Sequence, residues 1–219
     1  MVHPAKAPIV SDRRARRSAE TRESLFRSAL KLFADRGFQS TTIEDITEAA
    51  DVGKGTFFNY FPSKEHIFNA LGEIQVGTVR DAFEAAGRGD EPVRETLLRL
   101  ARGLAKEPGR SQPLMRSLVV AIQSNEAVRQ IMLTNLTRGR DLLTGIMAFG
   151  QARREIRADR DATELARIFQ QFMFGTMVMW TLHPPSPLPE WLDGTFEVFW
   201  SGIAARPVQG FVAGKGRKS

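Results

Sequence analysis

The chain has 219 residues, which is enough to bury a substantial core and predicts one domain or two small ones. Hydrophobic residues make up 42% and charged residues 26% of the sequence, a balance typical of a globular rather than a disordered protein. No apolar run approaches the roughly 18 residues of a membrane span, and no signal peptide is readable after Met1. We therefore expect a cytoplasmic protein without membrane contact. The absence of cysteine excludes disulfides, thiolate metal ligands and cysteine nucleophiles.

Positive charge is concentrated at the two ends of the chain. Thirty-one Lys and Arg against 25 Asp and Glu give a net charge of +6. The basic residues of the predicted N-terminal arm, residues 1–17, are Arg13, Arg14, Arg16 and Arg17, and those of the predicted flexible tail, residues 206–219, include Lys215, Arg217 and Lys218. The tail is explained equally well as a solvated end, whereas the arm leads into a DNA-binding candidate and so favours contact with a polyanion.

Apolar spacing predicts helices from residue 18 onward. One face of a helix over about 18–36 carries Leu25, Ala29, Leu32 and Phe33. Gly37 is expected to end that helix in a left-handed conformation. Thr41 and Glu44, three residues apart, predict a capping box at the start of a second helix. A short third helix over 54–60 ends before Pro62, and Ser63 is expected to cap a fourth.

The remainder of the sequence also predicts helices and offers no alternating strand pattern. These helices cover about 93–105, 112–123, 126–153, 161–182 and 190–205. The proline-rich segment 183–187 is expected to be an extended connection. A turn-rich break at 87–92 marks a domain boundary. The predicted organisation is therefore all-α: a helix-turn-helix domain over 18–62, a linking helix over 63–86 and a C-terminal domain over 87–205.

Residues 41–61 have the pattern of a helix-turn-helix, in which two short helices are joined by a tight turn. The residues predicted to form its small core are Ile46, Ala50, Val52 and Phe57. Lys54, Thr56, Asn59 and Tyr60 would then point outward, where the start of the second helix can reach base edges in the major groove. The spacing alone would equally fit a generic helical hairpin.

The residues at these positions resemble the tetracycline-repressor (TetR/AcrR) family over about Arg22 to Leu71. The matching pattern is Ile46-x-x-Ala49-Ala50-x-Val52-x-x-Gly55-Thr56-Phe57-Phe58-x-Tyr60-Phe61-x-Ser63-Lys64-Glu65, preceded by Gly37-Phe38 and Thr41-Thr42-Ile43. The resemblance implies a homodimeric transcriptional regulator, usually a repressor, that binds double-stranded operator DNA as an inverted repeat. It further implies a C-terminal helical bundle that binds a small effector and dimerises through its last two helices, with no cofactor, metal or catalytic residue.

Carried over by position, the resemblance assigns DNA binding to Thr42, Lys54, Gly55, Thr56, Phe58, Asn59, Tyr60 and Lys64. Lys64 and Thr42 are expected to contact phosphates. The sequence departs from the family pattern in the turn, where Asp51 and Gly53 replace the usual glycine and serine. It departs again at Phe58, which stands where the family has a tyrosine and which cannot donate a hydrogen bond to phosphate.

In the C-terminal half, dense Met and aromatic residues favour an apolar or aromatic effector. The predicted pocket residues are Met115, Leu118, Met132, Phe169, Phe172, Met173, Met177 and Trp180, with Gln123, Asn135, Gln170 and Gln171 as polar candidates. The predicted dimer interface consists of Phe174, Phe196, Phe199, Trp200 and Ile203. Any of these apolar residues would also serve an ordinary intrachain core.

Two other function classes fit parts of the sequence. An enzyme is disfavoured because the three histidines, His3, His66 and His183, have no spacing that suggests a metal site or a catalytic triad. The glycines around Lys215 resemble a phosphate-binding loop only faintly, since the spacing is one residue short and the Ser or Thr is missing. A non-regulatory architectural DNA-binding protein would lack an effector pocket and would show little sequence preference.

Overall fold

The computed structural model describes residues 9–183 and 187–205, whose regular structure is helical except for one isolated bridge between Ile156 and Ala204. The helices are α1 (Ile9–Arg36), α2 (Ile43–Ala49), α3 (Lys54–Phe58), α4 (His66–Arg88), α5 (Val93–Ala105), a 3-10 turn (Pro108–Arg110), α6 (Gln112–Ser124), α7 (Glu126–Ala152), α8 (Ala162–Trp180) and α9 (Leu188–Ile203). The all-α prediction is confirmed, and α5 to α9 begin and end close to the predicted positions. The predicted basic tail and the centre of the proline-rich connection lie outside the described residues.

Three predicted helix starts differ from the structure. Helix α1 begins at Ile9, so the basic residues of 13–17 are exposed on its early turns. The capping box of α2 uses Thr42 and Asp45 rather than Thr41 and Glu44, because the buried Thr41 hydroxyl donates to the carbonyl of Gly37 at 2.8 Å. Helix α4 begins at His66, and the Ser63 hydroxyl instead contacts the Glu65 carboxylate and the His66 ring.

A cluster of three phenylalanines joins α1 to α4. Gly37 has φ +83°, the left-handed conformation predicted at the end of α1, and turns the chain so that Phe38 folds back. The Phe38 ring lies 5.3 Å from that of Phe33 and 5.0 Å from that of Phe68, while Phe33 and Phe68 stack at 5.4 Å. Aromatic pairs at these separations stabilise a core beyond the area they bury.

Helices α4 to α9 form a bundle in which α4 packs along α7, α7 along α8, and α8 along α9. Ion pairs hold α9 against α5: Arg102 is bidentate to Asp193, and Arg94 pairs with Glu197. The bundle keeps an internal cavity at the junction of α4, α6, α7 and α8. Helix α4 therefore forms a wall of the bundle in addition to linking it to the first three helices.

The bundle contacts the first three helices mainly through α6, which packs on α1. The Ser117 hydroxyl on α6 accepts a hydrogen bond from the buried amide of Phe38 at 3.1 Å. Nearby, the Glu107 carboxylate accepts from Arg27 on α1 and from Arg110. Burial alone would raise the pKa of Glu107, but the hydrogen bonds from the two arginines outweigh it and hold that pKa below its ordinary value. Both contacts tie α1 to the bundle beside the cavity.

Candidate DNA-binding surface and effector cavity

Helices α2 and α3 are joined by a tight turn whose geometry depends on Asp51. This residue has φ +53°, a conformation that aspartate tolerates better than most side chains. The amide of Val52 then donates to the carbonyl of Thr47 at 3.0 Å, which closes the turn. Ile46 and Phe57 are fully buried between the two helices. The observed turn therefore matches the helix-turn-helix geometry that the sequence predicts.

Helix α3 presents most of the predicted DNA-contacting residues to solvent. Lys54, Gly55, Phe58 and Asn59 are exposed, while Thr56 and Tyr60 are partly buried. The ammonium of Lys54 pairs with Glu44 on α2. The Tyr60 hydroxyl lies 3.1 Å from the Ser18 hydroxyl on α1, which limits how freely this ring can turn toward a base.

Phe58 is the residue that departs most clearly from the family pattern. Its side chain is 48% exposed and meets the ring of the buried Phe57 edge-on, at a centroid distance of 5.6 Å. A phenylalanine ring that is exposed to this degree adds little to the hydrophobic core and leaves apolar surface in contact with water. Phe58 is therefore not part of the closely packed core.

The two residues expected to contact phosphates already have intrachain partners. The Thr42 hydroxyl donates to Asp45 at 2.7 Å as part of the α2 cap. The Lys64 ammonium donates to the carbonyls of Phe38 and Thr41, at 2.8 and 2.7 Å, and lies 4.3 Å above the Phe38 ring. Burial lowers the pKa of Lys64, against the opposing effect of Glu65 and Asp45. Because an ammonium has three donors, Lys64 retains one for a further acceptor.

The cavity among α4, α6, α7 and α8 has a volume of about 130 Å³. The predicted pocket residues that border it are Met115, Leu118, Met132, Phe169, Met173 and Met177. The other two predicted pocket residues, Phe172 and Trp180, do not border it. Phe172 points toward α9, where its ring stacks on Phe199 at 5.1 Å, and Trp180 is buried near the end of α8.

Helix α4 contributes a cavity wall that the sequence analysis missed. Its residues on that wall are Phe68, Leu71, Gly72, Gln75, Val76 and Val79. The apolar repeat within 68–79 was the available signal, but this segment was interpreted only as a linking helix. Of the predicted polar candidates, Asn135 and Gln170 border the cavity, whereas Gln123 and Gln171 are exposed outside it.

The predicted dimer-interface residues differ in their exposure, and the interface itself stays a prediction. Phe196 and Ile203 are buried within their own chain, at 0% and 4% exposure. Phe174 borders the cavity instead. Phe199 and Trp200 remain partly exposed. The large apolar residues left exposed on or next to α8 and α9 are Ile168, Met179, Leu182 and Val198.

Comparison with known proteins finds a family likeness in the N-terminal part of the chain. The family profile described as "Bacterial regulatory proteins, tetR family" matches residues 25–71, which span the end of α1, the helix-turn-helix and the start of α4. The HTH-type transcriptional regulator TcmR of Streptomyces glaucescens is 44% identical over 73 residues, 33% of this chain and 30% of that protein. Residues 25–71 of the chain are thus similar to the DNA-binding region of TetR-family regulators.

Two further proteins extend the likeness beyond the helix-turn-helix. The probable acrEF/envCD operon repressor of Escherichia coli strain K12 is 31% identical over 113 residues, 49% of this chain and 50% of the repressor. The chain thus matches between about a third and a half of the length of these curated relatives. The crystal structure of Thermus thermophilus FadR, a TetR-family repressor in complex with lauroyl-CoA, superimposes with a TM-score of 0.60. It is 29% identical and covers 89% of this chain and all of that one (100%).

The described residues contain neither a membrane-spanning helix nor a cluster of metal-binding side chains. Within residues 9–183 and 187–205, no helix combines the length and apolar character that a membrane crossing requires. In the same residues, no group of three or more His, Asp and Glu side chains is arranged to hold a metal ion.

Proposed function

We propose that this chain is a homodimeric, sequence-specific transcriptional repressor that leaves its operator when a small apolar or aromatic effector binds the bundle. The observation that carries the proposal is the α2–α3 helix-turn-helix, which the family profile matches and whose second helix has an exposed polar start. The related proteins named as regulators and repressors support it. We also propose that residues 18–62 act as the DNA-binding unit and 87–205 as the effector-binding and dimerisation unit, in the cytoplasm.

In this proposal Lys54, Gly55 and Thr56 approach the major groove, with Asn59 and Tyr60 behind them. Lys64 uses its remaining donor for a phosphate while its other two hold the turn between α1 and α2. Thr42 approaches the backbone as the cap of α2. Such phosphate contacts add affinity on any sequence, whereas contacts from the start of α3 would set the preference for one operator.

In this proposal, effector binding in the cavity moves the DNA-binding unit through the phenylalanine cluster of Phe33, Phe38 and Phe68. Phe68 borders the cavity and touches Phe33 and Phe38, which belong to the DNA-binding unit. On the other side of the cavity, α6 carries both Met115, a wall residue, and Ser117, the acceptor for the Phe38 amide. A ligand that displaces either wall would therefore shift the turn held by Lys64. The Thermus repressor, solved in complex with lauroyl-CoA, supports the part of the proposal that a small molecule acts as effector.

The test of this function is footprinting of the purified chain, without effector, on genomic DNA fragments that it selects. We expect protection of an inverted repeat whose half-sites are about 34 Å apart or a multiple of that distance. Thr56→Val should change which repeat is preferred, while Thr137→Val, an exposed position on α7, should leave the preference unchanged. Uniform protection of all fragments would instead favour the architectural alternative.

Phe58→Tyr is expected to strengthen binding to operator and to unrelated DNA alike, by about 0.5 to 1.5 kcal/mol, the usual net value of one hydrogen bond. The ring is 48% exposed, so the added hydroxyl can reach a phosphate without being buried unpaired. Affinity and melting temperature are measured on the same variant. Phe149→Tyr, on α7, is the control and should leave DNA affinity unchanged. A loss of stability in Phe58→Tyr without tighter binding would contradict the proposed backbone path.

A further inference from the structure

The side chains around the cavity carry no charge. Its lining consists of aliphatic, aromatic and methionine residues with glycine, proline and three amides, and it includes no Asp, Glu, Lys, Arg or His. The amides are Gln75, Asn135 and Gln170. Transfer of an ionised group into such surroundings is strongly unfavourable unless a counter-charge accompanies it. The nearby Arg138 is already bidentate to Glu73, with Nη1 and Nη2 at 2.5 and 3.1 Å from the carboxylate oxygens.

The orientation of two of the amides is fixed by arginines, which can only donate. Arg138 Nη1 donates to Asn135 Oδ1 at 3.3 Å, and Arg140 Nε donates to Gln170 Oε1 at 3.0 Å. The nitrogen of each amide therefore points away from the arginine that binds its oxygen. Gln170 Nε2 donates to the carbonyl of Leu136 at 2.7 Å. Asn135 Nδ2 has no acceptor among the described residues, although Asn135 is only 7% exposed.

The Asn135 side-chain amide lies against Gly72 of α4, where the missing side chain leaves room for it. A Cβ on Gly72 of α4 would overlap the Asn135 side-chain amide. Gln75 lies one turn further along the same helix and also borders the cavity. No side-chain nitrogen or oxygen that is wholly buried lacks a partner in the described part of the chain, so Asn135 Nδ2 keeps accessible surface. Asn135 and Gly72 both border the cavity, so we assign the accessible part of this donor to the cavity side.

We propose that the cavity binds a compact, uncharged ligand that is apolar except for one hydrogen-bond acceptor, a carbonyl or hydroxyl oxygen recognised by Asn135 Nδ2. The inference rests on the proposed effector function and narrows it to a ligand class. A volume of about 130 Å³ suits a ligand of one ring, because an apolar cavity of about 150 Å³ takes up benzene. An ionised carboxylate or a coenzyme A thioester finds no counter-charge in this lining, so we expect neither to bind.

Calorimetry on the full-length chain without DNA tests this with three probes of equal heavy-atom count: acetophenone, isopropylbenzene and benzoate at pH 7. We expect acetophenone to bind about two- to twelve-fold more tightly than isopropylbenzene, the ratio that one net hydrogen bond provides. Benzoate and lauroyl-CoA should not bind. Asn135→Leu should erase the preference for acetophenone and keep isopropylbenzene binding, which also reports an intact cavity. Thr137→Val, on the outer side of α7, should retain the preference.

Binding of benzoate or lauroyl-CoA as tight as that of acetophenone would overturn the inference. The same holds if neither neutral probe binds at millimolar concentration, or if Asn135→Leu still prefers acetophenone. Even if Asn135→Leu does not fold, the three probes measured on the unchanged chain show whether the cavity prefers a neutral ligand with one hydrogen-bond acceptor. None of these measurements involves DNA, so they can fail while the footprint of an inverted repeat stands, and the reverse also holds.

Discussion

Val198→Glu is expected to convert the proposed dimer into monomers and to remove tight operator binding. Val198 is 74% exposed on α9, beside the partly exposed Phe199, and it is one of the large apolar residues that α8 and α9 leave exposed. In a two-fold interface the new carboxylate appears twice. An unpaired charge at each copy costs about 3 to 5 kcal/mol, so dimerisation should weaken by at least about 10⁴-fold. A monomer that reads one half-site should lose about 10²- to 10⁴-fold in operator affinity.

Light scattering at micromolar concentration and operator titration measure the two effects. The matched control is Val120→Glu, which places the same charge at a 53% exposed valine on α6, outside the proposed interface helices. This variant should remain dimeric and bind the operator normally. If Val198→Glu stayed dimeric, or if it became monomeric with undiminished operator affinity, the proposed assembly would be wrong.

Phe33→Ala is expected to lower the free energy of unfolding by about 3 to 5 kcal/mol. Phe33 is fully buried, and its ring contacts both Phe38 and Phe68. Removing it leaves a void between the DNA-binding unit and the cavity wall that the neighbouring helices cannot fill. Since whole domains are stable by only about 5 to 15 kcal/mol, much of the folded population of the first three helices should be lost, and DNA binding with it.

Thermal and denaturant unfolding measure the change in stability. At about 2 to 4 °C for each kcal/mol in a protein of this size, the melting temperature should fall by roughly 6 to 20 °C. Phe58→Ala is the control because it removes the same side chain from a 48% exposed position, and it should cost less than about 1 kcal/mol. Equal losses for the two variants would show that the Phe33 ring does not hold the junction.

The sequence by itself determined the helical architecture and the position of the helix-turn-helix. Periodic apolar residues depend only on the geometry of one helix, so α5 to α9 could be bounded without knowledge of their neighbours. The turn between α2 and α3 was predictable for a similar reason. Asp51 tolerates the left-handed conformation that the turn requires, and the residues around it match one family closely.

The tertiary structure alone decided which equivalent residue takes which role. Thr41 and Thr42 have the same chemistry, and only the hydrogen bond from Thr41 to Gly37 leaves Thr42 to cap α2. Phe174 and Phe196 are both aromatic residues on an apolar helix face, yet one borders the cavity and the other is closed within the core. The periodicity of apolar residues shows that one face of a helix is apolar, but it does not show which other element packs on that face. A cavity or an interface is the space between several helices, and that space exists only once they have packed.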